Sequence, residues 1–270
     1  MSFYTSLSGV KSAQTQLEVV SHNLANSETA GFKRSRANFA DVFATSSTTN
    51  PQLAMGVGTR VESITQTFSN GPIEQTGNAL DLAITGEGFF ATKSAASEEV
   101  MFTRNGSFSV DEDGYIKRGT DDRLQLYAVA PDGTASVGAT IDAQIPAENA
   151  DGSKFAGITV SGNGDVIATF ADGTNQTLGR VAMASFTAPT GLRQVGSSNW
   201  TPTGLSGEPS WGEPGDGRFN DLMSGAVERS NVDLTEELVG LITAQRYFQA
   251  NAKAIDTASQ ITQTIIGIRT

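Results

Sequence analysis

The sequence predicts a mixed, mainly β fold: an antiparallel β-rich body with N- and C-terminal α-helices that pair as a coiled coil. Three observations carry this reading. Apolar positions recur at helical spacing at both ends of the chain. Between them, turn signals recur about every 8–15 residues, a spacing that suits a barrel or sandwich rather than βαβ units. With 29 Gly among 270 residues and only 7% aromatics, the composition favours short strands and tight turns. The expected organisation is a helical domain from residues 1–30 with 233–270, connecting segments at 31–75 and 187–232, and a β-rich outer domain at 76–186.

At the N-terminal end, Phe3, Leu7, Val10, Gln14, Leu17, Ser21 and Leu24 alternate four and three apart, which sets them on one helical stripe. About 24 residues of helix would span roughly 36 Å. Gln14 and Ser21 weaken the seam, and an isolated helix of this kind is marginal in water. It therefore needs a partner. Gly31 is expected to cap it, because glycine tolerates the left-handed conformation. Asn23 and Asn26 are costly inside a helix unless their amides cap or bond across a packed interface. Phe39 and Phe43 stand one helical turn apart, followed by a polar loop over residues 44–59.

Strand signals begin at Val61 and run to Phe186. Leu80–Ile84 leads to Gly88-Phe89-Phe90, and Asp111-Glu-Asp-Gly114 separates two strand-like runs as a hairpin tip. Leu124–Val129 precedes Pro131-Asp-Gly133, and a meander follows from Ile158 to Phe186 with turns at Gly162–Asp165 and Asp172-Gly173. Residues 187–220 contain Pro189, Pro202, Pro209 and Pro214 and both tryptophans, and read as an irregular ordered connector pinned to the body by Trp200 and Trp211. The closing helix starts at Asp233, an N-cap with Glu236 in capping-box position. Its stripe includes Leu238, Leu241, Phe248, Ile255, Ile261, Ile265 and Ile268. About 36 residues give roughly 54 Å of helix, more than one face of a small domain can cover, so a coiled coil or subunit interface is indicated.

Several functions are disfavoured. The net charge of −11 repels phosphate backbones, so no nucleic-acid partner is expected. Residues 1–50 alone carry a balance of +1. With no cysteine and one histidine, His22, there is no His-based triad, zinc-thiolate site or disulfide, and no enzyme activity or cofactor is expected. Gly56-Val-Gly58 and Gly162–Asp165 read as turns rather than nucleotide loops, and Asp111–Gly114 lacks the later ligands of a calcium loop. No run approaches the ~18 apolar residues of a membrane span, and the first ten residues lack the pattern of a secretory leader.

Asn23-Leu-Ala-Asn26 with Thr29-Ala-Gly-Phe-Lys33 resembles the N-terminal signature of bacterial flagellar axial proteins, the rod and hook group. Ser230–Leu238 with Ala244-Gln-Arg246 and Gln249-Ala-Asn251 is similar to that family's C-terminal signature, and Gly77–Ile84 and Phe102–Phe108 resemble its central β motifs. Ala188–Arg193, Asn199-Trp200 and Leu234–Leu238 are most similar to the hook branch, in a short form with no room for an outer inserted domain between Ile145 and Gly164. The overall length and the loop at 44–59 resemble the distal rod instead.

The resemblance implies a structural subunit that forms a helical homopolymer, a hollow curved tube transmitting motor torque from rod to filament. The distal rod of the basal body is the alternative, and a secreted β-rich binding module is the rival from another class. The implied partners are further copies of the chain, the flagellar type III export apparatus, adjoining rod and hook–filament junction proteins, and the hook cap. The implied location is the flagellum, outside the cell after export without a cleaved signal. Self-assembly is expected at Leu7, Val10, Leu17, Asn23, Leu24, Asn26, Leu238, Leu241, Phe248, Ile255 and Ile265. Phe39 and Phe43 match the family's export-gate motif.

Overall fold

The computed structural model describes residues 2–43, 56–95, 97–130 and 135–268. It is mainly β, with a helix near each end. The chain divides into two compact units. A helical unit holds residues 1–27, 34–67 and 232–270, and a β unit holds 28–33 and 68–231.

In the helical unit, α1 (Ser2–Ala25) and α2 (Leu234–Ile268) pack along each other. They run antiparallel: Asn23 meets Glu237, Val20 faces Gly240, and Gly9 faces Asn251. The coiled-coil pairing expected of the two ends is thus formed within one chain. Asp233 caps α2, its Oδ1 accepting the Thr235 and Glu236 amides at 2.7 and 3.1 Å. Glu236 turns to Arg34 at 2.9 Å.

The helical unit also contains a β-hairpin of β1 (Ser35–Phe43) and β2 (Gly56–Gln66), antiparallel with two register shifts and packed on α1. Two expectations are corrected here. Phe39 and Phe43 lie on a strand, not a helix, since their i, i+4 spacing also fits two alternations of a pleat. Gly56 and Gly58 open β2 rather than form a turn. Gly58 takes φ +143 beneath Ser8, whose Oγ accepts the Thr59 amide at 3.2 Å. Residues 44–55 of the expected loop, and the Pro131–Gly133 turn, lie outside the described residues.

The β unit is built around one large antiparallel sheet. Its main path runs β11 (Phe155–Val160), β12 (Asp165–Phe170), β13 (Asn175–Val181), β9 (Asp122–Val129), β5 (Phe89–Ser94), β6 (Val100–Thr103), β16 (Asn199–Thr201), β15 (Arg193–Gly196). β7 (Ser109–Val110) and β8 (Ile116–Arg118) close the hairpin expected around Asp111–Gly114. The strands β14 (Met183–Ser185) and β17 (Ser210–Gly212) pair, and β10 (Ala135–Asp142) joins β9. Two short pairs complete the unit: β18 (Leu222–Ser224) with β4 (Leu82–Ile84), and β19 (Ala226–Glu228) with β3 (Ile73–Gln75).

The segment 187–220, expected to be irregular, therefore supplies sheet strands. Alternation is unreadable over three or four residues, and the prolines sit between the strands rather than in them. Trp200 is fully buried, with ring contacts to Phe68 and Phe89 at 5.6 and 5.7 Å, while Trp211 packs on Phe102. A second apolar cluster, centred on Leu82, Phe90, Leu126 and Phe170, fills the rest of the core.

Candidate functional site

Two sets of contacts join segments far apart in the chain, one at the end of α1 and one at Lys33. In α1 the buried positions are Ala13, Val19, Val20 and Asn23. Leu7, Val10, Leu17, Leu24 and Asn26 are half-buried, and Gln14 and Ser21 face solvent. The seam is rotated from the expected stripe because α1 has two neighbours. Gly9 and Val20 face α2, while Thr5 and Ser8 reach β2. On α2, Glu237 and Ala244 are buried and Leu241 and Ile255 half-buried, with Phe248 at 37% exposure on the edge. Leu238 and Ile265 point outward.

At the end of α1, Asn23 and Ser35 exchange hydrogen bonds: Asn23 Nδ2 donates to Ser35 O at 2.8 Å, and Ser35 N donates to Asn23 Oδ1 at 2.9 Å. The same amide donates to Glu237 Oε2 at 3.3 Å, and Arg34 Nε reaches Glu237 Oε1 at 2.6 Å. One buried asparagine thus ties α1, β1 and α2 together. Asn26 donates to His22 O at 2.9 Å and ends the helix. Beside the clasp a groove of about 760 Å³ opens, lined by Val19, Val20, Ala37, Phe39, Val239 and Gly240 among others. Phe39 is 38% exposed, while Phe43 lies farther along β1 and is 52% exposed.

Residues 28–33 behave as a strap in the β unit. Gly31 takes φ +66, and a Cβ there would lie 2.4 Å from the Asn105 amide nitrogen. Its role is thus close backbone passage rather than the cap expected for α1, which ends at Ala25. Gly31 N donates to Glu228 O at 2.8 Å, and Phe32 is buried. Lys33 Nζ lies 2.7 Å from Glu228 Oε1 with neither side chain exposed, and it donates to Ser69 O at 2.9 Å. Arg104 Nη1 reaches Glu228 Oε2 at 3.3 Å, and the Gly71 amide donates to Oε1 at 2.7 Å. Burial pushes the Lys33 ammonium below its ordinary value; Glu228 opposes the shift and Arg104 adds to it. No local pattern marks this buried triad, although Lys33 and Arg104 fall within the segments 29–33 and 102–108.

Three family models match in chain order. They are described as "Flagella basal body rod protein" over residues 3–33, "Flagellar hook protein FlgE/F/G D1 domain" over 83–168, and "Flagellar basal body rod FlgEFG protein C-terminal" over 223–268. The flagellar basal-body rod protein FlgG of Bacillus subtilis is 32% identical, with 99% of this chain and 98% of the relative covered. The chain belongs to the flagellar rod and hook protein family. The FlgG of Caulobacter vibrioides is 33% identical over 98% of both chains. The flagellar hook protein FlgE of Salmonella typhimurium is 26% identical, and both chains are covered completely in an alignment 411 residues long. As a flagellar axial protein the chain has a structural role, and its helical ends and strap coincide with the matched terminal segments. Among the described residues no helix is long and apolar enough to cross a membrane.

Proposed function

We propose that this axial protein is a subunit of the flagellar hook that polymerises into a hollow tube and carries motor torque from rod to filament. The observation supporting polymerisation is the helix pair itself. α2 continues past the N-terminus of α1, and its last turns leave Ile261, Ile265, Ile266 and Ile268 at 55–81% exposure. A contiguous apolar surface of that kind is an association surface. The hook assignment draws on the likeness of Asn199-Trp200 and Leu234–Leu238 to hook sequences, and on FlgE relatives covered along their whole length.

The distal rod is the second reading. It is favoured by FlgG relatives of nearly equal length at 30–33% identity, whereas the FlgE alignments must span far more positions than this chain has. In either position the partners are further copies of the chain, the type III export apparatus and the neighbouring axial proteins; a hook also has its cap. Leu7, Val10, Leu17, Asn23, Leu24, Asn26, Leu238, Leu241, Phe248, Ile255 and Ile265 serve assembly, and Phe39 and Phe43 serve export.

Electron microscopy of basal bodies from cells lacking this protein tests the choice. A complete rod without a hook is expected. A rod truncated at its distal end favours the second reading, and a complete hook excludes both.

A further inference from the structure

The apolar end of α2 and the groove beside Asn23 lie at opposite ends of the same helix pair. The antiparallel register sets Asn23 against Glu237 and Gly9 against Asn251, so α1 is used up near position 258 of α2. Among the described residues the remaining turns have no helix beside them. From Ser259 to Ile268 there is no charged residue. The hydroxyls of Thr262 and Thr264 donate to their own helix at Ala258 O and Gln260 O, at 2.8 and 2.9 Å, so both can be buried without seeking water. Asn251, which faces Gly9 of α1, is followed at seven-residue spacing by the half-buried Ala258 and by Ile265. The tip thus extends the α1–α2 seam and lacks only the opposing helix.

At the other end, the groove offers an unfinished complement. Val19 and Val20 of α1, Ala37 and Phe39 of β1, and Val239 and Gly240 of α2 supply its apolar lining. Val239 is 60% exposed. Of the charged residues that line the groove, Arg34 is paired with Glu236 and Glu237, and Arg36 stands beside them. The uncharged turns from Ser259 to Ile268, which Arg269 follows in the sequence, therefore meet no unpaired charge from Arg34, Glu236 or Glu237.

We propose that the α2 tip of one copy seats in this groove of the next copy along the polymer, with Ile265 and Ile268 against Val239, Val20 and Phe39. The partner is a second copy of this chain, and the inference rests on the axial-subunit reading. Two different surfaces meet, so the contact is head-to-tail and does not close; repeated, it builds a filament with a direction. It also gives Phe39 a role in the assembled state.

The absence of cysteine permits a direct test. Ile265→Cys and Val239→Cys are made in separate full-length copies, co-assembled into polymers, oxidised with copper phenanthroline and run without reductant. Mixed polymers are expected to yield a covalent dimer at least tenfold above polymers of either variant alone. No dimer in mixed polymers, or equal dimer in single-variant polymers, overturns the proposal. Ile268→Cys with Thr243→Cys decides the question on the same criteria if the first pair does not assemble. Wild-type protein that forms no polymer refutes the axial-subunit reading itself; polymers that assemble without the cross-link refute only the tip-in-groove contact.

Discussion

Lys33 and Glu228 meet at 2.7 Å with both side chains fully buried, 195 positions apart in the chain. With Arg104 also on Glu228, one carboxylate compensates two buried cations. Removing its charge therefore matters more than removing either cation. Glu228→Gln is expected to destabilise the β unit by ~3–5 kcal/mol, since it strands charge in the interior. Lys33→Met, which leaves Glu228 bonded to Arg104 and the Gly71 amide, is expected to cost about 1–3 kcal/mol. Guanidinium unfolding of the two variants checks the order.

Gly31 holds the strap by having no side chain. Gly31→Ala combines a left-handed φ with a Cβ in contact with the Asn105 and Arg104 backbone, where nothing flexible can yield. A loss of more than ~2 kcal/mol is expected. At Gly9 the obstruction is the Asn251 side chain, which can turn aside, so Gly9→Ala is expected to cost less than ~1 kcal/mol. Paired melting curves separate the two cases.

The helix ends and the hairpin around Asp111–Gly114 were legible because their signals are periodic or depend on particular turn residues. Asp233 shows the same directness: a carboxylate just before an apolar stripe became the cap. What stayed hidden was set by partners distant in sequence. The stripe through Gln14 and Ser21 presumed one neighbour for α1, and the β1–β2 hairpin supplied a second, turning Val19 and Asn23 inward. The Phe39–Phe43 spacing suits helix and strand alike, and only pairing with Val61 decides it. The strands around Trp200 are too short to show alternation. The triad at Glu228 joins segments that no local pattern connects.

Tyr127 supplies a test by pH. Burial, then the charge of Glu213, pushes its phenol from 10.0 up to about 12. The unfolded chain releases this proton first, so the stabilising difference is complete below pH 10 and is lost as pH rises towards 12. The difference amounts to about 2–3 kcal/mol at pH 12. Tyr127→Phe is expected to remove that component of the alkaline decline, measured as unfolding free energy against pH for both proteins.

Phe39 and Phe43 are partly exposed, so truncating either should change monomer stability by less than ~1 kcal/mol. If they serve export, Phe39→Ala and Phe43→Ala are expected to abolish secreted protein while the cellular pool stays folded. Immunoblots of medium and cells check this, and undiminished secretion would exclude the export role.

The terminal helices are proposed to make this chain a polymer subunit. The most direct test is electron microscopy of polymerisation by the full chain and by a chain lacking residues 1–30 and 235–270. Tubes are expected from the full chain, and from the truncated chain a folded β unit that forms none. Tubes of normal appearance from the truncated chain would contradict the proposal.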